Sequence, residues 1–319
     1  MPPMAYEKGL AVEIRGLVKR FGRTVAVNGL NLRIGMGVIY GLVGPNGAGK
    51  TTTIMMLAGL IDPTSGNAIV AGFDVVKEPR KVKAVTGYLH DRFACYDNLT
   101  ARQNLDFYAQ LNDIPKSKRA KRIDSLLEAV GLSRWKDVKV GKFSRGMRQR
   151  LGIAQALINE PKIVFLDEPT AGLDPQGTRE VRMLIKRLCR EEGLTAVVTS
   201  HILPEVEQLC SRIGIMKDGK LIAIDTFENL VKRLAPEEGV LIRLELNKLD
   251  DKLMKSIEDM PGIRSVDRDG NGLMIHADHD LREKLAAAIA ETGSLILTMH
   301  IVQPRLEEVF LKVYGRGWI

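Results

Sequence analysis

The chain has 319 residues, 45% hydrophobic and 27% charged, a balance that suits a folded protein with a buried core and excludes a disordered or collagen-like chain. Its net charge of +8 is compatible with nucleic acid, anionic headgroups or polyphosphate ligands and does not choose among them. No apolar run approaches the roughly 18 residues needed to span a bilayer. Met1–Ala5 lacks the basic flank and apolar stretch of a signal peptide, and Cys95, Cys189 and Cys210, scattered and odd in number, suit reduced thiols.

In chain order, residues 11–18 and 25–34 read as strands around the turn-rich Arg20-Phe21-Gly22-Arg23. Val38 to Val43 is a short apolar run, predicted to be a buried strand. It opens into Gly44-Pro45-Asn46-Gly47-Ala48-Gly49-Lys50-Thr51-Thr52, which satisfies the G-x-x-x-x-G-K-[ST] pattern. Glycines let successive backbone N–H groups turn inward around a phosphate chain, where a Cβ would obstruct approach. Lys50 is placed to reach the β- and γ-phosphates, and the Thr51 hydroxyl to ligand Mg²⁺. A helix from Thr51 to Leu60 would aim its positive end at the anion. This pattern predicts a nucleoside triphosphate site.

Strands are then expected near 68–70 and 85–89. Thr100-Ala101-Arg102-Gln103 has the form of a capping box and should start a helix running to Leu111. A second helix is predicted over Lys116 to Val130, ending at Gly131; its basic run Lys116 to Arg122 reads as a solvated face or a contact with lipid or an acidic partner. A third helix should begin at Ser144 and be stopped by Pro161. Alternation resumes with a strand at 162–166, a helix at 176–190 and a strand at 195–199, then strands at 212–216 and 221–224. That order implies a mainly parallel sheet covered by helices.

Asp167 and Glu168 close the apolar strand Ile163 to Leu166. A carboxylate there can hold the shell of a Mg²⁺ ion, the role expected of Asp167, and its neighbour Glu168 can activate a water as general base. His201 ends another apolar strand; by itself a single histidine reads more readily as a structural or surface residue than as a functional one. Past Arg233, the segment from Ala235 to Gly239 has linker character, and the remaining pattern is βαββαβ, with Asn271-Gly272 as a hairpin turn and a final helix from Pro304 to about Val313. His276, Asp278 and His279 have no evident further ligand for a metal.

Taken in order, these motifs resemble the nucleotide-binding subunits of the ATP-binding cassette (ABC) family over residues 10–233. Gly44 to Thr52 is similar to Walker A, Phe143-Ser144-Arg145-Gly146-Met147 to the signature Leu-Ser-Gly-Gly-Gln, and Leu166 to Thr170 to Walker B. Ala171-Gly172-Leu173-Asp174 resembles the D-loop, His201 the switch histidine, and Phe21 the aromatic residue that stacks on adenine. The resemblance implies a P-loop NTPase (RecA-like) α/β core with a parallel sheet, an antiparallel β subdomain and an inserted helical subdomain at about 93–160. These would make up residues 1–234, followed by a small α+β, ferredoxin-like accessory domain at 235–319.

It further implies ATP and Mg²⁺ as cofactors, with Glu168 and His201 catalytic and Thr51, Asp167 and Asp91 at the metal. Asp91 stands where the family usually has glutamine, and the signature carries Arg145 for glycine and Met147 for glutamine. Two cassettes, as a homodimer or a heterodimer, would pair head to tail, so that Ser144, Gly146 and Asp174 face nucleotide held by the partner. A separate polytopic permease would place the chain at the cytoplasmic face of the cell membrane, with no nucleic acid expected. Pro304 to Leu311 resembles the closing motif of exporter cassettes of the multidrug, sodium and daunorubicin-resistance group. The competing readings are a soluble cassette acting on nucleic acid, ribosomes or complex assembly, and a binding-only module, which Glu168 argues against.

Overall fold

The computed structural model describes residues 9–91, 93–234, 239–270 and 272–302. The chain divides into two compact units between Phe227 and Glu228. In the first, β3 (Ile39–Val43), β6 (Thr86–Leu89), β7 (Ile163–Asp167), β8 (Thr195–Ser200), β9 (Arg212–Lys217) and β10 (Lys220–Asp225) form a six-stranded sheet of order β10-β9-β3-β8-β7-β6. All pairs are parallel except β10 with β9. Successive side chains of a strand face opposite ways, and both faces here are buried. Val164, Leu166, Ala196 and Val198 pack into one core, Ile163, Phe165, Val197 and Leu42 into the other. Two covered faces explain why these strands read as unbroken apolar runs.

β1 (Leu10–Phe21) and β2 (Thr24–Gly35) form a hairpin that continues through β4 (Ser65–Val70) and β5 (Phe73–Asp74) as a second, antiparallel sheet of order β2-β1-β4-β5. Its inward residues Val12, Ile14, Leu17, Leu30 and Leu32 share a core with Tyr40, Ile54 and Phe165. The α-helices of this unit are α1 (Lys50–Leu57), α2 (Pro79–Val85), α3 (Ala101–Leu111), α4 (Lys116–Ala129), α5 (Arg145–Ala156), α6 (Pro175–Glu192) and α7 (Leu203–Leu209). α8 (Phe227–Leu234) begins at the unit's last residue and belongs otherwise to the second unit. The capping box at Thr100 and Gln103 is formed in both directions.

Two helices end earlier than the sequence expectation. α1 stops at Leu57 instead of Leu60. α5 ends at Ala156, with Leu157 as its cap, instead of running on to Pro161. The Arg122 guanidinium donates to the Leu157 and Ile158 carbonyls, and Glu160 takes a positive φ of 54°. A cation from α4 therefore satisfies the carbonyl end of the helix before proline acts.

The second unit contains β11 (Val240–Leu246), α9 (Asp251–Glu258), β12 (Ile263–Asp269), β13 (Gly272–Ala277), α10 (Arg282–Glu291) and β14 (Ile296–Val302). Its antiparallel sheet has the order β12-β13-β11-β14, the ferredoxin-like arrangement of a βαββαβ chain. Leu244, Ile275, Leu253, Ile257, Leu285 and Ile289 form its core. Gly272 pairs with Asp269 inside the ladder and so belongs to β13, not to the turn, while Asn271 lies outside the described residues. The helix expected at 304–313 and most of the linker also lie outside them. No described helix is long and apolar enough to cross a membrane.

Candidate active site

The parallel strands β3, β7 and β8 deliver their loops to one end of the sheet, the crevice where open α/β sheets hold ligands. After β3 the chain wraps through Gly44 to Gly49 into α1. Glycine is required at two of these positions by close approach. A Cβ on Gly44 would strike the Met216 carbonyl, and one on Gly49, where φ is +97°, the Ala26 carbonyl. The loop is held by backbone bonds, Ala48 N–H to Pro45 and Gly219 N–H to Ala48, while Asn28 N–H bonds Gly219. These contacts fix β2 against the loop. At the end of β1, Phe21 is 51% exposed, with the Lys19 ammonium 5.1 Å above its ring, so one aromatic face is presented at the surface.

Lys50 is buried and folds over the loop, donating to the Gly44 and Pro45 carbonyls at 2.7 and 3.1 Å. Its Nζ lies 3.7 Å from Glu168 Oε1. Burial pushes the Lys50 ammonium below the usual lysine range, and Glu168 and Asp167 oppose that shift. The opposite oxygen of the same carboxylate, Glu168 Oε2, lies 2.9 Å from His201 Nδ1. An ionised carboxylate only accepts, so this contact selects the imidazole tautomer with hydrogen on Nδ1. Glu168 has a positive φ of 49°, a conformation that costs a non-glycine residue energy and concentrates at functional sites.

Asp167 is fully buried at the end of β7. Its Oδ1 accepts the Thr51 hydroxyl at 3.1 Å and the Thr199 hydroxyl. Its Oδ2 is buried and has no hydrogen-bond partner among the described residues. Burial pushes this carboxyl up, and the Thr199 and Thr51 hydroxyls oppose the shift. A buried anionic oxygen left unpaired beside a threonine hydroxyl fits a hard divalent cation, which prefers oxygen donors. Among the described residues no cluster of three or more His, Cys, Asp or Glu side chains could hold a metal by itself. The donor set therefore fits Mg²⁺, which is commonly held by one or two carboxylates together with substrate phosphates.

Asp91 follows β6, with its Oδ1 2.5 Å from His90 Nδ1; its charge is among the influences that raise the Asp167 carboxyl. The structure thus brings together Lys50, Thr51, Asp167, Glu168 and His201, with Asp91 in electrostatic reach. It does not bring Ser144, Gly146 or Asp174 to this cluster. They line a separate cavity of about 420 Å³, into which no phosphate-loop residue projects. Ser144 caps α5 by accepting Met147 N–H at 3.2 Å, and Asp174 caps α6 by accepting Gly177 N–H at 2.7 Å. A Cβ on Gly146 would meet nothing within 4 Å.

Two site residues escaped the sequence reading. Thr199, fully buried on β8, donates to Asp167 and accepts Glu168 N–H at 3.0 Å, so one hydroxyl aligns both carboxylate residues. Its signal was a polar residue ending the apolar strand Ala196 to Val198. Tyr88 on β6 carries a buried phenol without a partner among the described residues; burial pushes its pKa up, reinforced by Asp167 and Asp91.

Comparison with known proteins agrees with this geometry. Residues 27–171 match a family model described as ABC transporter. The bacitracin transport ATP-binding protein BcrA of Bacillus licheniformis is 38% identical over 309 residues, covering 97% of this chain and 98% of the relative. The linearmycin resistance ATP-binding protein LnrL of Bacillus subtilis is 34% identical over 96% of this chain and 98% of its own. Among solved structures, the dimeric ATP-binding cassette MJ0796, in a post-hydrolysis state with ADP and phosphate, is 28% identical. It has a TM-score of 0.61 over 67% of this chain and 98% of that one.

Proposed function

This chain belongs to the ABC transporter family as an ATP-binding, ATP-hydrolysing subunit, and we propose that it drives an exporter of antibiotic-like or other amphiphilic compounds. The observation that carries the catalytic part is the Glu168 carboxylate held between Lys50 and His201, at the mouth of the phosphate loop. In this reading the loop amides and Lys50 hold the β- and γ-phosphates, and Phe21 stacks on adenine. Thr51 and Asp167, with Asp91 nearby, would hold Mg²⁺, which would supply positive charge against the phosphates. Glu168 takes the proton of the attacking water, and His201 orients the carboxylate and contacts the γ-phosphate.

Ser144, Gly146 and Asp174 stand apart from this cluster, which supports a site completed by a second cassette. The dimeric form of MJ0796 and the names of the relatives, bacitracin transport and linearmycin resistance, support pairing and export. A separate polytopic membrane protein would then hold the dimer at the cytoplasmic face of the membrane. The test is phosphate release by the purified chain with ATP and Mg²⁺, together with affinity capture from solubilised membranes. The reading expects hydrolysis lost in Lys50→Ala and a polytopic membrane protein in the captured complex. Capture of RNA or ribosomes in its place would overturn the export assignment.

A further inference from the structure

Arg145 occupies the first position of α5, where the signature pattern has glycine. Its guanidinium reaches across 26 residues of chain, Nη2 donating to the Ala171 carbonyl at 2.8 Å. The group also lies over Gly172, because a Cβ built there would fall on Cζ and both terminal nitrogens. Gly172 has a φ of +68°, so this position excludes other side chains twice over. The turn that Arg145 grips lies between Glu168 and Asp174, and Ser144, Gly146, Gly172 and Asp174 line one shared cavity.

We propose that Arg145 is a positioning residue. It clamps the Ala171–Gly172 turn to the start of α5, so that Ser144, Gly146 and Asp174 present one preformed surface to phosphate held by a second cassette. The inference rests on the two-cassette reading above. Without the clamp, two separate turns must be ordered when the cassettes meet, and that ordering opposes association. A guanidinium suits the task because it is flat enough to cover Gly172 while donating to Ala171; a lysine can only donate.

The test uses the full chain with Arg145→Ala, Arg145→Lys, Gly172→Ala and the Arg145→Ala/Gly172→Ala double variant. In thermal unfolding without nucleotide, Gly172→Ala should lower Tm more with Arg145 present than in the Arg145→Ala background. Strictly additive shifts would overturn the clamp. For turnover, Arg145→Ala should raise the half-saturating ATP concentration by roughly three- to tenfold, the lower part of the range for coupled neighbouring residues. Arg145→Lys should fall between, and affinity of the dilute single chain for a fluorescent ATP analogue should not change. An unaltered half-saturation in Arg145→Ala would refute the positioning role. If the unsubstituted chain shows no ATP-dependent pairing, the two-cassette reading fails, and the unfolding comparison still decides whether the clamp exists.

Discussion

His201 Nδ1 and Glu168 Oε2 lie 2.9 Å apart although 33 residues separate them in the chain. The sheet causes this meeting, because β7 and β8 are parallel neighbours paired Asp167 to Thr199, and the next residues of each emerge side by side. Lys50 holds the other oxygen of the same carboxylate from across the crevice. A carboxylate held on both oxygens is oriented before substrate arrives, the condition under which positioning lowers a barrier.

Glu168→Gln should therefore slow phosphate release by roughly 10²–10⁴-fold, the scale of general-base catalysis. The amide keeps the shape of the side chain, so binding of ATP should persist. Single-turnover hydrolysis with radiolabelled ATP measures the loss, and normal turnover would remove Glu168 from the role of base. Glu168→Gly should also be inactive, since it removes the carboxylate between Lys50 and His201.

Asp167 gives a pH-dependent prediction. Its carboxyl is raised by burial, so the folded state binds its proton more tightly than the unfolded state does. The stability linked to this group is fully present below the ordinary carboxylate range and is lost as pH rises through the raised folded value. At neutral pH Asp167→Asn should accordingly raise Tm, by about 2–4 °C for each kcal/mol relieved, and that gain should vanish in acid. ATP hydrolysis should be lost at every pH. A Tm difference independent of pH would show that the buried charge is not the cause.

Thr199→Val removes one hydroxyl and unsettles two residues. Asp167 Oδ1 retains Thr51, but the Glu168 N–H loses its acceptor. Leaving this partly buried donor unpaired costs at most the roughly 1–3 kcal/mol of a fully buried one. Thermal unfolding should register the loss, turnover should fall with it, and Thr199→Ser should restore both. Rescue of stability without activity would detach Thr199 from the carboxylates.

Phe21→Ala should weaken ATP by about 1–3 kcal/mol, the worth of one base on an aromatic face, with little effect on Tm because the ring is half exposed. Isothermal titration with ATP and with inorganic triphosphate separates the two contributions. Only the nucleotide should lose affinity; equal losses would mean that Phe21 does not meet the base.

The phosphate loop and the Asp167-Glu168 pair stand out in the sequence because each follows an apolar strand, whereas His201 stands out only through its resemblance to the family's switch histidine. The ferredoxin-like unit was legible too, since its six elements are long enough to show their periodicities. What the sequence hid depends on chain-distant contacts. Thr199 acquires its role only when β8 is laid beside β7. The end of α5 is set by Arg122, 35 residues away, and not by the nearby Pro161. β5, α2 and α7 have two, seven and seven residues, too few for a hydrophobic period to declare itself. The grip of Arg145 on Gly172 likewise joins two motifs that read as independent.

Under the proposed pairing, this cluster is half of an active site that a second cassette completes. Light scattering of Glu168→Gln, with and without ATP and Mg²⁺, tests it most directly. The mass should double only when ATP is present, and adding Lys50→Ala should abolish the doubling. A Glu168→Gln chain that binds ATP and remains at the mass of a single chain would contradict it.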